Sequence, residues 1–257
     1  MAYSRRMLSR NRKSTVSRQR NARRRLVRMS RAGYPVSSLA RYSRVLSSTS
    51  GRPEVKLVDG LNSHGNVNTL AINSTGLVTP INLICVGSGF NNRVGRKIEL
   101  QSCYITGMIT QTDNANNLMD YGRILLVYDR QTNGATPSVT TILQNYDQQT
   151  NATTGVFCGV NPDERERFLV LMDERLALPG YQLGGPTSGT DGLNTTFNIH
   201  RFVKLRNLQT HYKADSSPAV IGDIATGALY ILTIGATTAG NEGWQFSGTW
   251  RIRYKDT

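Results

Sequence analysis

The chain has 257 residues, with 31 Lys and Arg against 17 Asp and Glu and a formal net charge of +14. That length can bury a sizeable core, and the three widely spaced cysteines, Cys85, Cys103 and Cys158, exclude a disulfide framework. No run approaches the roughly 18 apolar residues of a membrane helix, and the basic start never enters the apolar stretch of a secretory signal, so no membrane insertion is expected.

The charge is unevenly placed. Residues 1–52 hold 14 Arg, one Lys and no acid, whereas residues 53–257 hold 16 Lys and Arg against 17 acids. The division predicts two parts, an arm with its linker over 1–52 and a folded body over 53–257. Self-repulsion and scarce apolar groups predict an arm that is disordered when alone. Its candidate nucleic-acid ligands are Arg5, Arg6, Arg10, Arg12, Lys13, Arg18, Arg20, Arg23, Arg24, Arg25, Arg28 and Arg31, followed by Arg41 and Arg44 in the Ser-, Gly- and Pro-containing linker. Such a segment releases counterions from phosphates and binds with steep salt dependence but little sequence preference. Arginine adds forked phosphate contacts and stacking on exposed bases. The run Arg23, Arg24 and Arg25 also fits a nuclear localisation signal. Membrane-surface binding fits less well, because no regular apolar face accompanies the charge.

From about residue 54 short apolar runs alternate with Gly, Asn, Asp, Thr and Pro, a β pattern. Strands are predicted at 66–72, 77–85, 96–111, 121–130, 166–176, 197–209, 226–236 and the C-terminal stretch. Ahead of the third, "VGSGFNNRVGRKIEL" (86–100) resembles a phosphate-cradling loop at first sight. It has neither the Lys-Ser/Thr of GxxxxGK[ST] nor the third glycine of GxGxxG, and reads as a turn into a strand. Arg93, Arg96 and Lys97 are then at most a supplement to the arm. In "KIELQSCYITGMIT" the apolar parity switches, which predicts a bulge near Gln101–Ser102. One short helix is predicted at "TPSVTTILQN", with Thr136 as N-cap, Pro137 at the first position, and Val139, Ile142 and Leu143 on one face. "GALYILTIGA" is apolar on both parities and should lie deep in a sheet. In "WQFSGTWRIRYK" Trp244, Phe246, Gly248, Trp250, Ile252 and Tyr254 alternate with polar residues, the mark of a half-buried strand. The polar side carries Arg251, Arg253 and Lys255, candidate further nucleic-acid ligands if that face lines an interior. An exterior or subunit-contact face is the alternative.

About eight strands and one short helix predict an all-β fold, a single eight-stranded jelly-roll β-sandwich. Catalytic signatures are absent from the sequence. His64, His200 and His211 form no HExxH or other metal-spaced pair, GxSxG is missing, and the acids of "NPDERER" are interleaved with Arg165 and Arg167 as in a solvated loop. No catalytic residue, metal or cofactor is expected.

Four blocks occur in order: "NRVGRKIEL" at 92–100, "RILLVYDRQTNGATPSVTTIL" at 123–143, "ERFLVLMDERLAL" at 166–178 and "SGTWRIRYKD" at 247–256. Together with the arm they resemble the capsid proteins of small circular single-stranded DNA viruses that encode a replication initiator, the circovirus- and geminivirus-like group. The resemblance implies a single jelly roll, a sixty-subunit T=1 icosahedral shell, packaging of a circular single-stranded DNA genome, and a life divided between the virion and the host nucleus. Host import machinery and a host receptor become possible partners. The arm-plus-sandwich layout alone also fits a satellite-type single-stranded RNA virus coat or a non-viral basic nucleic-acid-binding sandwich.

Overall fold

The strand nearest the C-terminus shows the rule by which the body is built. In the computed structural model, which describes residues 54–60, 68–111, 120–145, 155–178, 196–236 and 244–256, Trp244–Asp256 is one strand. Trp244, Phe246, Trp250, Ile252 and Tyr254 are all buried, and the intervening residues face outward. Alternation at period two turns one face to the core. Gly248 interrupts the aromatic row because its space is taken: a Cβ there would sit 2.6 Å from Phe246 Cζ and 2.8 Å from Gly107 Cα.

The strands, in chain order, are β1 (Val55–Asp59), β2 (Asn68–Ile72), β3 (Leu77–Pro80), β4 (Lys97–Gln111), β5 (Asp120–Asp129), β6 (Phe168–Leu178), β7 (Phe197–Tyr212), β8 (Ile224–Thr226), β9 (Ala228–Gly235) and β10 (Trp244–Asp256). A six-stranded sheet runs β1-β10-β4-β7-β8, with β2 also on β10, and a four-stranded sheet runs β3-β9-β5-β6. Every pairing is antiparallel. The hairpin β5–β6 lies innermost in the nesting, then β4–β7, then β3–β9, with β1 and β2 on β10 outermost. That nesting is a jelly roll. The eight expected strands correspond to β2–β7, β9 and β10, and β1 and the short β8 are additional.

Between the sheets lies the main core. Ile98, Leu100, Ile105, Phe246 and Ile252 from the larger sheet meet Ile124, Leu126, Leu229 and Ile231 from the smaller. Each such side chain stabilises the fold by about 1.5–3 kcal/mol on burial. Asn82 staples the two sheets at one end. Its Nδ2 donates to Thr210 Oγ1 and Gly227 O, both at 3.0 Å, and its Oδ1 accepts from Leu229 N at 2.9 Å. At another rim Arg201 of β7 pairs with Glu174 of β6.

Several expectations are corrected in detail. β3 stops at Pro80 instead of continuing to 85, since the chain turns inward to bury Asn82. β1 was not anticipated, because inward-facing Lys56 breaks the apolar alternation. It is buried against Asp256 Oδ2 at 3.3 Å and Asn92 O at 3.1 Å. The helix, α1, spans Val139–Ile142, and its N-cap is Ser138, whose side chain accepts from Thr141 N, not Thr136. The bulge falls where parity predicted it: the register of β4 with β7 shifts between Leu100 and Ser102. β9 is buried along its whole length because the smaller sheet is covered on both sides. Its outer side carries a second core, in which Leu125, Val127, Leu232 and Ile234 pack with Val139, Ile142 and Leu143.

A cationic sheet face as candidate nucleic-acid interface

The two sheets present different outer faces. Over the smaller one lie α1 and residues 155–160, and the latter segment is held down by a buried arginine. Arg123 is 1% exposed; its Nη1 donates to Val156 O at 3.1 Å and Cys158 O at 2.5 Å, while Nε and Nη2 grip both Asp173 oxygens at 2.8 Å. The hydrogen bonds from Arg123 hold the Asp173 carboxyl below its ordinary range, outweighing the burial that raises it. At the far end of β5 the buried Asp129 carboxylate accepts from Arg167 Nε and Nη2, both at 3.0 Å. Arg167 is thus a clamp, where the sequence suggested a solvated loop.

The outer face of the larger sheet is bare among the described residues. Register and alternation place its side chains in rows across β10, β4 and β7. One row is Arg253, Ser102 and Lys204; the next is Arg251, Tyr104 and Phe202; beyond it lie Thr249, Thr106 and His200. On the other side of the bulge Lys255 stands opposite Glu99, itself opposite Gln209. Rows are about 7 Å apart along the strands and neighbours about 5 Å apart across them. Arg251 is engaged by Asp59 of β1, Nε to Oδ1 at 2.6 Å and Nη2 to Oδ2 at 2.8 Å, and this bond draws the Asp59 carboxyl below its usual range against a smaller opposing effect of burial. Thr106 Oγ1 and His200 Nδ1 share a hydrogen bond of 2.8 Å. No ion pair engages Arg253, Lys255 or Lys204 among the described residues.

The three C-terminal candidates Arg251, Arg253 and Lys255 are therefore brought together on one face, with Arg251 already neutralised. Lys204 joins them; it was missed because only strand pairing places it beside Ser102. The fourteen arm and linker candidates, from Arg5 to Arg44 and including Arg23, Arg24 and Arg25, lie outside the described residues. In the 86–100 loop, Arg93 is removed from the candidate set. It is 1% exposed, donates to the carbonyls of Ile84, Gly95 and Ala214 and to Asp215, and lies 3.9 Å from the Tyr212 ring centroid. Nearby, the Asp256 carboxylate accepts from Val94 N at 2.5 Å and Gly95 N at 3.1 Å, so the loop is a structural joint. Among the described residues no group of three His, Cys, Asp or Glu is placed to hold a metal ion, and no helix is long and apolar enough to cross a membrane.

A jelly roll with one sealed face and one charged face, continuous in sequence with an acid-free arginine segment, has the layout of a viral shell protein. The sequence match is more particular: the family model described as the Geminivirus coat protein/nuclear export factor BR1 family covers residues 5–257. The chain belongs to that family, and is a coat protein of the virion with a structural role. No curated protein matches it. Among solved structures it is similar to infectious bursal disease virus, Gx strain (12% identity, TM-score 0.26, 79% of this chain and 32% of that one). It is also similar to VP1 of Trichodysplasia spinulosa-associated polyomavirus (10% identity, TM-score 0.23, 80% of this chain and 95% of that one). The chain spans about a third of the length of the bursal disease virus chain. The jelly-roll assignment rests on the strand order.

Proposed function

We propose that the chain self-assembles into a sixty-subunit, T=1 icosahedral shell and packages a circular single-stranded DNA genome through its arginine-rich arm. The observation that carries the packaging half is the charge division. All of the basic excess lies in residues 1–52, and the body is close to neutral. Sixty arms bring roughly 900 positive charges to a genome with one negative charge per nucleotide, enough to offset much of a genome of a few thousand nucleotides. A near-neutral body lets apolar burial between subunits proceed without strong mutual repulsion. Arg251, Arg253 and Lys255 extend the arm's site if the larger sheet faces the interior. A nuclear phase of the life cycle, entered through Arg23, Arg24 and Arg25 and host import machinery, is consistent with the nuclear export factor in the family description.

Electron microscopy of the purified chain tests the assembly: shells of about 200 Å, as expected for sixty domains of this size, support it, and monomers or filaments on nucleic acid refute it. Nuclease digestion of the extracted cargo then tests the genome. Sensitivity to ribonuclease alone would show a packaged RNA instead.

A further inference from the structure

On the larger sheet's outer face, the row next to Arg253, Ser102 and Lys204 holds two aromatic side chains as register partners, Tyr104 of β4 and Phe202 of β7. They are exposed by 39% and 59%, although each lies within a strand, β4 or β7, and is paired with a residue of a neighbouring strand. A sheet face that merely meets water carries polar residues at such positions. Met108, 45% exposed, lies two rows further along β4. Isolated exposed apolar residues need no explanation, but here two aromatics adjoin each other and a row of cations. The one carboxylate in their own row among the described residues, Asp59, is taken by Arg251.

Resting on the packaging function above, we propose that Tyr104 and Phe202 form a stacking platform for unpaired bases of the packaged strand, with Arg253 and Lys204 holding its phosphates. A row spacing of about 7 Å is within the reach of one nucleotide from base to phosphate. Aromatic stacking combined with a cationic track is how single strands are held without regard to sequence. A duplex hides its base faces, so the platform selects single strands, which the arm's charge alone does not do. Charge composition separates this site from a contact between copies of the chain. The centres of protein interfaces are depleted in lysine, though not in arginine, whereas here Lys204 lies in the row directly beside the aromatic pair.

The test uses the full chain and a fluorescein-labelled 20-nucleotide oligothymidylate, a 20-base-pair duplex, and a single strand carrying 2-aminopurine, whose emission falls on stacking. The variants are Y104S/F202S, F202W, and an arm variant with Arg23, Arg24, Arg25 and Arg28 changed to Gln. Thermal melts check that each is folded. Y104S/F202S should bind the single strand at least tenfold more weakly, keep the slope of affinity against salt, bind duplex as before, and lose the quenching; F202W should retain it. The arm variant should flatten the salt slope while keeping the quenching. Unchanged single-strand affinity and quenching in Y104S/F202S overturn the platform and leave the arm reading intact. An unchanged salt slope in the arm variant counts against the arm and leaves the platform to be judged by quenching. If Y104S/F202S binds like the original but no longer forms shells, the face is a contact between copies and the platform is overturned.

Discussion

The two outer faces of this sandwich belong to sheets of similar construction, yet they carry opposite chemistry. Over the smaller sheet, Leu125, Val127, Leu232 and Ile234 are sealed beneath α1 and the 155–160 segment, with Arg123 buried as the fastening. On the larger sheet the corresponding positions are Arg253, Arg251, Lys204, Tyr104 and Phe202, open to whatever lies beyond. The contrast teaches that one sheet of a jelly roll can be sealed on both faces while the other, among the described residues, buries only the face it turns to the core. The uncovered face is the one on which a partner can be accommodated without unpacking the core.

The comparison predicts a steep difference in mutational cost. Leu232→Ala, under the covered face, should cost about 4 kcal/mol in chemical denaturation, because it removes a side chain packed on both flanks of a buried strand; a loss below about 1 kcal/mol would mean that the cover is loose. Arg123→Met should cost about 3 kcal/mol, stranding two carbonyls and Asp173, and should raise protease cleavage near Phe157. The same pair sets a pH dependence. Asp173 is held below its ordinary range, so its contribution is complete above about pH 4 and is lost as pH falls through its lower folded value. Asp173→Asn should flatten the thermal-melt profile below about pH 4. Ser138→Ala, which removes the N-cap of α1, should cost about 1 kcal/mol. Smallest of all, the double change of Arg253 and Lys204 to Gln should move stability by no more than about 0.5 kcal/mol, while weakening nucleic-acid binding in a filter assay. A large stability loss there would show that the bare face is part of the scaffold.

Much of the fold was legible in the sequence because one-sided burial writes itself as alternation. β10 carries six alternations, β4 carries a parity switch at its bulge, and β9 is apolar on both parities because it is covered on both sides. What alternation cannot show is a polar residue turned inward to a distant partner. Lys56 reaches Asp256 and Arg123 reaches Val156 and Cys158, and those partners are neighbours only after folding. The same limit applied to the candidate face. Arg251, Arg253 and Lys255 stood out on a single strand, but Lys204, Tyr104 and Phe202 joined them only through the register of β7 with β4 and β4 with β10. The α1 cap shifted by two residues because Thr136-Pro137 and Ser138 both supply cap chemistry, and only Ser138 has Thr141 N within reach at 3.2 Å.

β10 also has a consequence for the timing of synthesis. The ribosome makes it after the other strands among the described residues, yet it separates β1 and β2 from β4 in the larger sheet. Until it emerges, β4 and the two N-terminal strands have hydrogen-bonding edges facing an empty slot, an arrangement prone to mispairing with other nascent chains. Most of the contacts that close the slot join residues far apart in sequence, which makes closure slow. A growing chain halted after β9 should therefore be captured by chaperones and cleaved readily, whereas release of β10 should complete the sheet in one step.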